Sequence, residues 1–436
     1  MNSTNLFPVA IIGAGPIGLA AAAHLNKRNQ PFIILESGME IADSVRSWEH
    51  VPMFSPWKLN IDKASRELLA RYNWKEPGLN RIPTGKELIE EYLLPLSETK
   101  EITPFIRLSS KVISVTRKRI SKLRNLGRDS APFMLRVETD DGVKIVEARA
   151  VIDASGTWKT PKPSGADGLP AIGEELLGDK IFYGIPDVLG KEKDRYAGKD
   201  VAVIGGGHSA INALLELADL KKENQEMNLT WILTKARVED AYGGLDNDEL
   251  PGRGKVGQRV KELVDSNEVD VLTPFFVEEM ERKGNKVAIH GDSLGSTNSI
   301  MVDEVITATG LKPDISIFRE LRINLDQATE SPVKLAPLID PNIHSCGSVR
   351  PHGEAELSHP EKDFYIVGMK SYGRAPTFLL ATGYEQVRSV VAGLSGDLEA
   401  ARQVHLELPE TGVCGVPAGV DPNSVKANED AESCCS

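Results

Sequence analysis

Cysteine is scarce in this chain: four in 436 residues, with no two spaced as Cys-x-x-Cys. A disulfide-stapled framework is thereby excluded, and a reducing, cytoplasmic setting is expected. Positive charge is also in deficit. A formal net charge of -12 argues against nucleic acid or an anionic membrane as the main partner. Long apolar runs are missing too. The strongest, Val9 to Leu25, is broken by three glycines and a proline, so it reads as strand, turn and helix rather than a membrane span. No signal peptide is visible. What remains, 41% hydrophobic residues with abundant glycine, fits an α/β protein too long for one core.

Against those absences stand two glycine-rich turns of one kind, GAGPIG at Gly13 to Gly18 and GGGHSA at Gly205 to Ala210. Each follows a short apolar run (Val9 to Ile12, Val201 to Ile204) and opens onto helical text. The first glycine allows the turn, and the second lets backbone approach a pyrophosphate. The third position packs helix on strand, while the helix N-terminus meets the phosphate charge. Two such matches a domain's length apart imply two dinucleotides, one tightly held and one exchanging. The residues placed at them are Gly13, Gly15, Pro16 and Gly18, then Gly205, Gly207, His208 and Ser209.

The strand beyond each turn separates the two sites. The strand PFIILE ends in Glu36, an acid positioned to accept hydrogen bonds from an unphosphorylated adenosine ribose. The strand LTWILT instead runs into Lys235 and Arg237, which would meet a 2'-phosphate and so favour NADPH over NADH. Between Arg107 and Ile152 the text alternates (KVISV, FMLRV, KIVEA, with a turn at Asp141-Gly142), predicting a small antiparallel ribbon. PTGKELIEEYLLPL, Pro83 to Leu96, reads as an amphipathic helix opened by a Thr cap.

Two strand-to-small-turn exits, DASGTW and ITATGLKPD, suggest that the second nucleotide domain is inserted into the first. The expected fold class is α/β, with two Rossmann-like dinucleotide-binding domains. The first would comprise residues 1–160 and 313–405, the inserted one 161–312, and a flexible tail 406–436. Gly310 and Gly368, at later strand exits, join the expected nucleotide contacts.

GAGPIG with Glu36, DASGTW, GGGHSA with LTKAR, and ITATGLKPD occur in the order used by two-dinucleotide-fold flavoproteins, which the chain resembles over roughly residues 7 to 400. That resemblance implies FAD in the first fold and NADPH in the second. Disulfide reductases of the superfamily carry a redox cysteine pair after the Glu-ended strand or inside the NADPH domain, and neither place holds a cysteine here. The chain is therefore closer to the flavin-containing monooxygenases, which activate oxygen on the flavin. It departs from them as well: their Phe-x-Gly-x-x-x-His linker fingerprint is not recognisable in Phe182 to Lys199. The segment from Arg350 to Ser389 and the cysteine-bearing tail resemble flavin monooxygenases of bacterial arsenic-resistance operons. This implies a small-molecule substrate containing trivalent arsenic, with molecular oxygen as co-substrate and a homodimer left open. In the related monooxygenases the loop after the FAD-binding strand packs along the flavin, making Arg46, Trp48 and Trp57 candidate wall residues, with aromatic core packing as the alternative.

Candidate chemistry beyond the cofactors rests on few groups. Cys414, Cys434 and Cys435 cluster in the last 23 residues, and thiolates are soft ligands that a trivalent metalloid takes up to three of. An arm of roughly 20 residues would reach about 25 Å. Glu429, Asp430 and Glu432 oppose this by raising the thiol pKa. Cys346 would face the flavin or be a buried small hydrophobe. His352 and His359 are candidate proton donors or substrate-orienting groups, or else surface histidines. His208 more readily caps a helix or touches a nucleotide phosphate than does chemistry. Two rivals stay open: a reductase passing electrons through Cys434–Cys435, and a non-enzymatic nucleotide-sensing module.

Overall fold

The computed structural model describes residues 7–248, 250–343, 352–375 and 378–406. None of the four cysteines lies within them, so the readings of Cys346, Cys414, Cys434 and Cys435 fall outside the described residues. Contacts divide the chain into two units, one running to Thr160 and resuming at Lys312, the other Pro161–Leu311.

In chain order the first segment contributes β1 (Val9–Ile12), β2 (Phe32–Leu35), β3 (Ile106–Arg107), β4 (Lys111–Arg117), β5 (Phe133–Thr139), β6 (Gly142–Ala148) and β7 (Ala150–Asp153). The second unit contributes β8 (Ile181–Tyr183), β9 (Asp200–Ile204), β10 (Asn228–Ile232), β11 (Asp270–Leu272), β12 (Phe276–Lys283), β13 (Lys286–Ser293), β14 (Ser296–Val302) and β15 (Glu304–Thr307). The returning segment adds β16 (Phe364–Ile366).

The two units repeat one plan. The first is built on a parallel sheet of order β16-β7-β1-β2-β3, the second on a parallel sheet of order β8-β15-β9-β10-β11. In each, an antiparallel three-stranded sheet (β4-β5-β6 or β12-β13-β14) precedes the strand that returns beside the first. Apolar central strands such as VAII and AVID are buried on both faces, as parallel sheets require. The second antiparallel sheet goes beyond the sequence expectation, although Gly284 and Gly295, both at positive φ in its two-residue turns, announce the hairpins.

Helix α1 (Pro16–Lys27) follows β1. Its Ala-rich face and α2 (Lys63–Leu69) help close the first core. The expected Pro83–Leu96 helix begins at Gly85 under a Thr84 capping box, and a π-helical stretch at Ile89–Leu93 carries it to Ser97. Helix α3 (His208–Lys221) follows β9, and α4 (Pro251–Asp265) packs on it. Helices α5 (Leu380–Leu394) and α6 (Leu398–Arg402) complete the first unit.

Candidate functional sites at the two glycine turns

The first turn is shaped by contacts that only glycine permits. Gly13 has φ +99, and a Cβ there would lie 2.9 Å from the carbonyl oxygen of Ala154, just beyond β7. A Cβ on Gly18 would lie 2.0 Å from the Gly13 carbonyl, so helix and turn could not meet with any larger residue. Gly15 differs: a Cβ there meets nothing within 4 Å, leaving open space at the N-cap of α1. No side chain caps that helix and no acid occupies its first turn, so its N–H groups and positive dipole end are available to an anion. Pro16 opens the helix and donates nothing.

Glu36 closes this site from the β2 side. Its Oε2 accepts the Ala14 N–H at 2.7 Å, and Oε1 accepts Gly38 N–H at 2.8 Å. A carboxylate oxygen has two lone-pair directions, so ribose hydroxyls remain within its capacity. Arg46 is held by Glu40 at 2.9 Å. Trp48, partly buried, lies 6.2 Å from Trp158 between ring centroids.

The second turn repeats the geometry at its first and second glycine positions but not at the third. Gly205 has φ +131, with its hypothetical Cβ 2.3 Å from the Ala308 carbonyl beyond β15, and Gly207 again meets nothing within 4 Å. Ala210, fully buried, stands where the first turn has Gly18. Helix α3 likewise lacks a side-chain cap and an acid in its first turn. Lys235 lies along Gly206, and among the described residues its ammonium has no partner. His208, the first residue of α3, is pushed down to about 4 by burial and by the Arg253 guanidinium, so it is neutral at pH 7. Arg253 itself is clamped by Asp248 at 2.5 and 2.9 Å. Ser209 follows in the same turn. Gly310, at φ +103 beyond β15, approaches only the Lys162 side chain, at 3.8 Å.

Several sequence expectations need correction. Trp57 is 0% exposed inside the first core, leaving no surface to line a cofactor wall; core packing is its role. Arg237 is paired with Asp240 at 2.8 Å with its side chain 70% exposed, which leaves it, beside Lys235, within the expectation for a 2'-phosphate. His352 is not a surface histidine but 4% exposed. The Gly368 N–H donates to Gln386 Oε1 at 2.7 Å, which fixes Gln386 Nε2 as a donor to His352 Nε2 at 2.9 Å. That ring nitrogen is an acceptor and offers no proton; His352 positions Gly368 through Gln386. His359 accepts the Asn324 N–H on Nδ1 at 3.2 Å, and burial pushes it down to about 4, so it is no imidazolium donor at neutral pH.

Gly368, φ +71, sits against Ile17 of α1 with its hypothetical Cβ 3.1 Å away, which brings the end of β16 to the first turn. Beside it is a buried pair that sequence reasoning missed, Lys370 with Asp153 at 2.7 Å, where Lys370 also donates to Ser155 at 3.0 Å. Sequence could not disclose it, because 217 positions separate two residues that the neighbouring strands β7 and β16 bring together.

Comparison with known proteins adds names to this geometry. A family model described as "Pyridine nucleotide-disulphide oxidoreductase" matches residues 10–346. A ferredoxin–NADP reductase of Lactobacillus johnsonii is 22% identical over 401 residues, 90% of this chain and 95% of that protein. Among solved structures, a bacillithiol disulfide reductase from Bacillus cereus superposes with TM-score 0.65 at 19% identity, covering 89% of this chain and 99% of that one. A cadaverine monooxygenase from Erwinia amylovora, solved with FAD, gives TM-score 0.61 at 13% identity, covering 94% and 99%.

Proposed function

Because the chain belongs to the pyridine nucleotide-disulphide oxidoreductase family, an FAD- and NADPH-dependent oxidoreductase fold, we propose that it is a monooxygenase acting on a soft nucleophilic centre. The substrate to test first is a trivalent arsenical. FAD is assigned to the Gly13 turn with Glu36, NADPH to the Gly205 turn with Lys235. Both assignments rest on cradles that a Cβ would fill at Gly15 and Gly207, and the NADPH assignment also on Lys235, whose side-chain amine has no partner among the described residues. Bound FAD supplies two-electron chemistry and, once reduced, reactivity toward oxygen.

One observation carries the choice of an oxygenase over a dithiol reductase. No cysteine pair stands in either nucleotide domain, and the single vicinal pair, Cys434–Cys435, lies at the C-terminus. Electrons on the flavin therefore lack a neighbouring dithiol in the stretches of chain where disulfide reductases place one. The protein's own residues bind and orient: Glu36 and the two uncapped helices hold nucleotides, while the buried Lys370–Asp153 pair and the Gln386 network fix the backbone beside the first turn. In this reading Cys414, Cys434 and Cys435 collect the metalloid before oxidation.

Oxygen uptake and NADPH oxidation measured across trivalent arsenicals, sulfides and amines test the proposal. Stimulation by an arsenical supports it, and uptake held at the background rate by all arsenicals refutes the substrate. A Cys434→Ser/Cys435→Ser variant isolates the tail; an unchanged KM for the arsenical removes its collecting role. The reductase alternative is favoured by the names of the curated relatives, ferredoxin–NADP reductases. Full turnover of an electron acceptor without oxygen would establish it instead.

A further inference from the structure

Strands β2, β1 and β7 are adjacent, parallel and flush at their carboxyl ends: Ile12 pairs with Leu35 on one side and with Asp153 on the other. The glycine turn leaves the middle strand, so loops leaving the outer two flank it. Lys159, in the loop after β7, reaches across to the loop after β2, with Nζ 2.8 Å from Asp43 Oδ2 and 3.1 Å from Ser37 Oγ. Trp158 makes the parallel crossing to Trp48, which is braced from behind by Gly85: a Cβ there would lie 2.9 Å from the Trp48 ring. The β2-side loop is itself pinned to the turn, since Ala42 N–H donates to the Ala14 carbonyl at 3.1 Å.

We infer that Lys159 with Asp43 and Trp158 with Trp48 form a two-point strap over the Gly13–Gly18 turn that sets how slowly the dinucleotide beneath it leaves. The inference rests on the assignment of FAD to this turn. None of the four residues needs to touch the reacting atoms; they are positioning residues for retention. On this inference, a cofactor with its pyrophosphate on the α1 N-terminus would leave past the ends of β2 and β7 only once the crossings open. The ionic crossing is exposed, 57% at Lys159 and 38% at Asp43, so it adds little to the stability of the fold. Its contribution appears in exchange kinetics, and it weakens as salt screens it.

The experiment uses full-length protein loaded with FAD. Release is followed by the recovery of flavin fluorescence after large dilution into FAD-free buffer, from low ionic strength to about 0.5 M salt. Stoichiometric yellow wild-type protein establishes the site independently of the strap, and a wild type that never loads FAD refutes the assignment rather than the strap. Lys159→Met and Asp43→Asn are each expected to speed release by about threefold at low salt. Adding Trp158→Leu raises this to about tenfold or more. Wild-type release accelerates with salt more steeply than that of Lys159→Met, and the charge-swapped Lys159→Asp/Asp43→Lys protein returns toward wild type. Apoprotein melting of the ionic variants stays at the wild-type value.

Three outcomes overturn the inference. If Asp43→Asn slows release, Lys159 is a phosphate ligand freed by losing Asp43, not a strap. If none of the variants changes release, the crossings do not govern retention. A fall in apoprotein melting temperature for Lys159→Met would reassign the bridge to fold stability, and retention would lose its basis.

Discussion

At the scale of single residues, glycines of one motif separate into two kinds. Gly18 is needed by the fold, because a Cβ there would lie 2.0 Å from the Gly13 carbonyl oxygen. Gly15 and Gly207 have ordinary negative φ and open space, so the fold tolerates a methyl there and only a bound nucleotide would not. Gly15→Ala should leave apoprotein stability within about 0.5 kcal/mol while lowering FAD affinity at least tenfold. Gly207→Ala should do the same to NADPH, read as a raised KM with a normal flavin spectrum. Gly18→Ala should instead fail to fold or lose several kcal/mol, about 3 or more, because neither backbone can give way. A further residue titrates where cells live. Glu216 on α3 is pushed up to about 7 by burial, with Asp187 and Asp219 adding repulsion against one favourable Val188 N–H. A carboxyl whose folded pKa is raised contributes fully below its unfolded value near 4.5 and is penalised as pH climbs toward 7. Glu216→Gln should therefore raise the melting temperature at pH 8, by the equivalent of about 1–3 kcal/mol, and change little at pH 4.5.

Elements are held by contacts between distant stretches of chain, and at this scale local sequence signals run out. Strands β1, β2, β7, β9, β10, β15 and β16 were legible because their apolar runs are short, rich in Val and Ile or aromatics, and bounded by turn or small residues, which together favour a buried strand over a helix. The β4-β5-β6 ribbon was legible from its period of two. Helix α4 was not: PGRGKVGQRVKELVD carries three glycines, and the helix forms because Gly254 and Gly257 let it pack against the Leu245 and Tyr242 carbonyls. Tertiary contact overrides propensity there. The candidate sites divide the same way. The cradles and Lys235 follow from local spacing, whereas Lys370–Asp153, Gln386–His352 and Lys159–Asp43 exist only once the sheet is assembled. Glu361 shows the energetic weight of such links. It accepts Arg117 Nε at 2.7 Å and Arg128 at 2.6 Å, all three side chains buried, and so ties β4 and the loop after it to the approach to β16. Burial would raise its pKa, but Arg128, the Arg322 N–H and Arg117 together hold it below the ordinary range. Replacing one member of a buried charge network strands the others, so Glu361→Gln should cost about 3–5 kcal/mol. The loss should appear as a lowered denaturation midpoint in FAD-free protein, with FAD-site kinetics unaltered in the molecules that remain folded.

For the whole molecule, the governing feature is duplication. Each unit has its own parallel sheet, its own antiparallel sheet ahead of the returning strand, its own glycine turn and its own core. Two cores of this kind are two candidate cooperative units, and each holds one nucleotide cradle. Ligand binding stabilises only the unit that binds it, by about 2.7 kcal/mol at a free concentration one hundred times Kd. For units of 150–250 residues that is worth about 5–10 °C in melting temperature. Calorimetry of the apoprotein should therefore show two transitions. FAD should raise one, and 2',5'-ADP or NADP+ the other. Lys235→Ala should abolish most of the second shift while leaving the first intact, and NAD+ should shift the second transition less than NADP+ because it lacks the phosphate that Lys235 would meet. If FAD and 2',5'-ADP both move one and the same transition, the repeat is architectural only, and the two cradles report to a single cooperative structure.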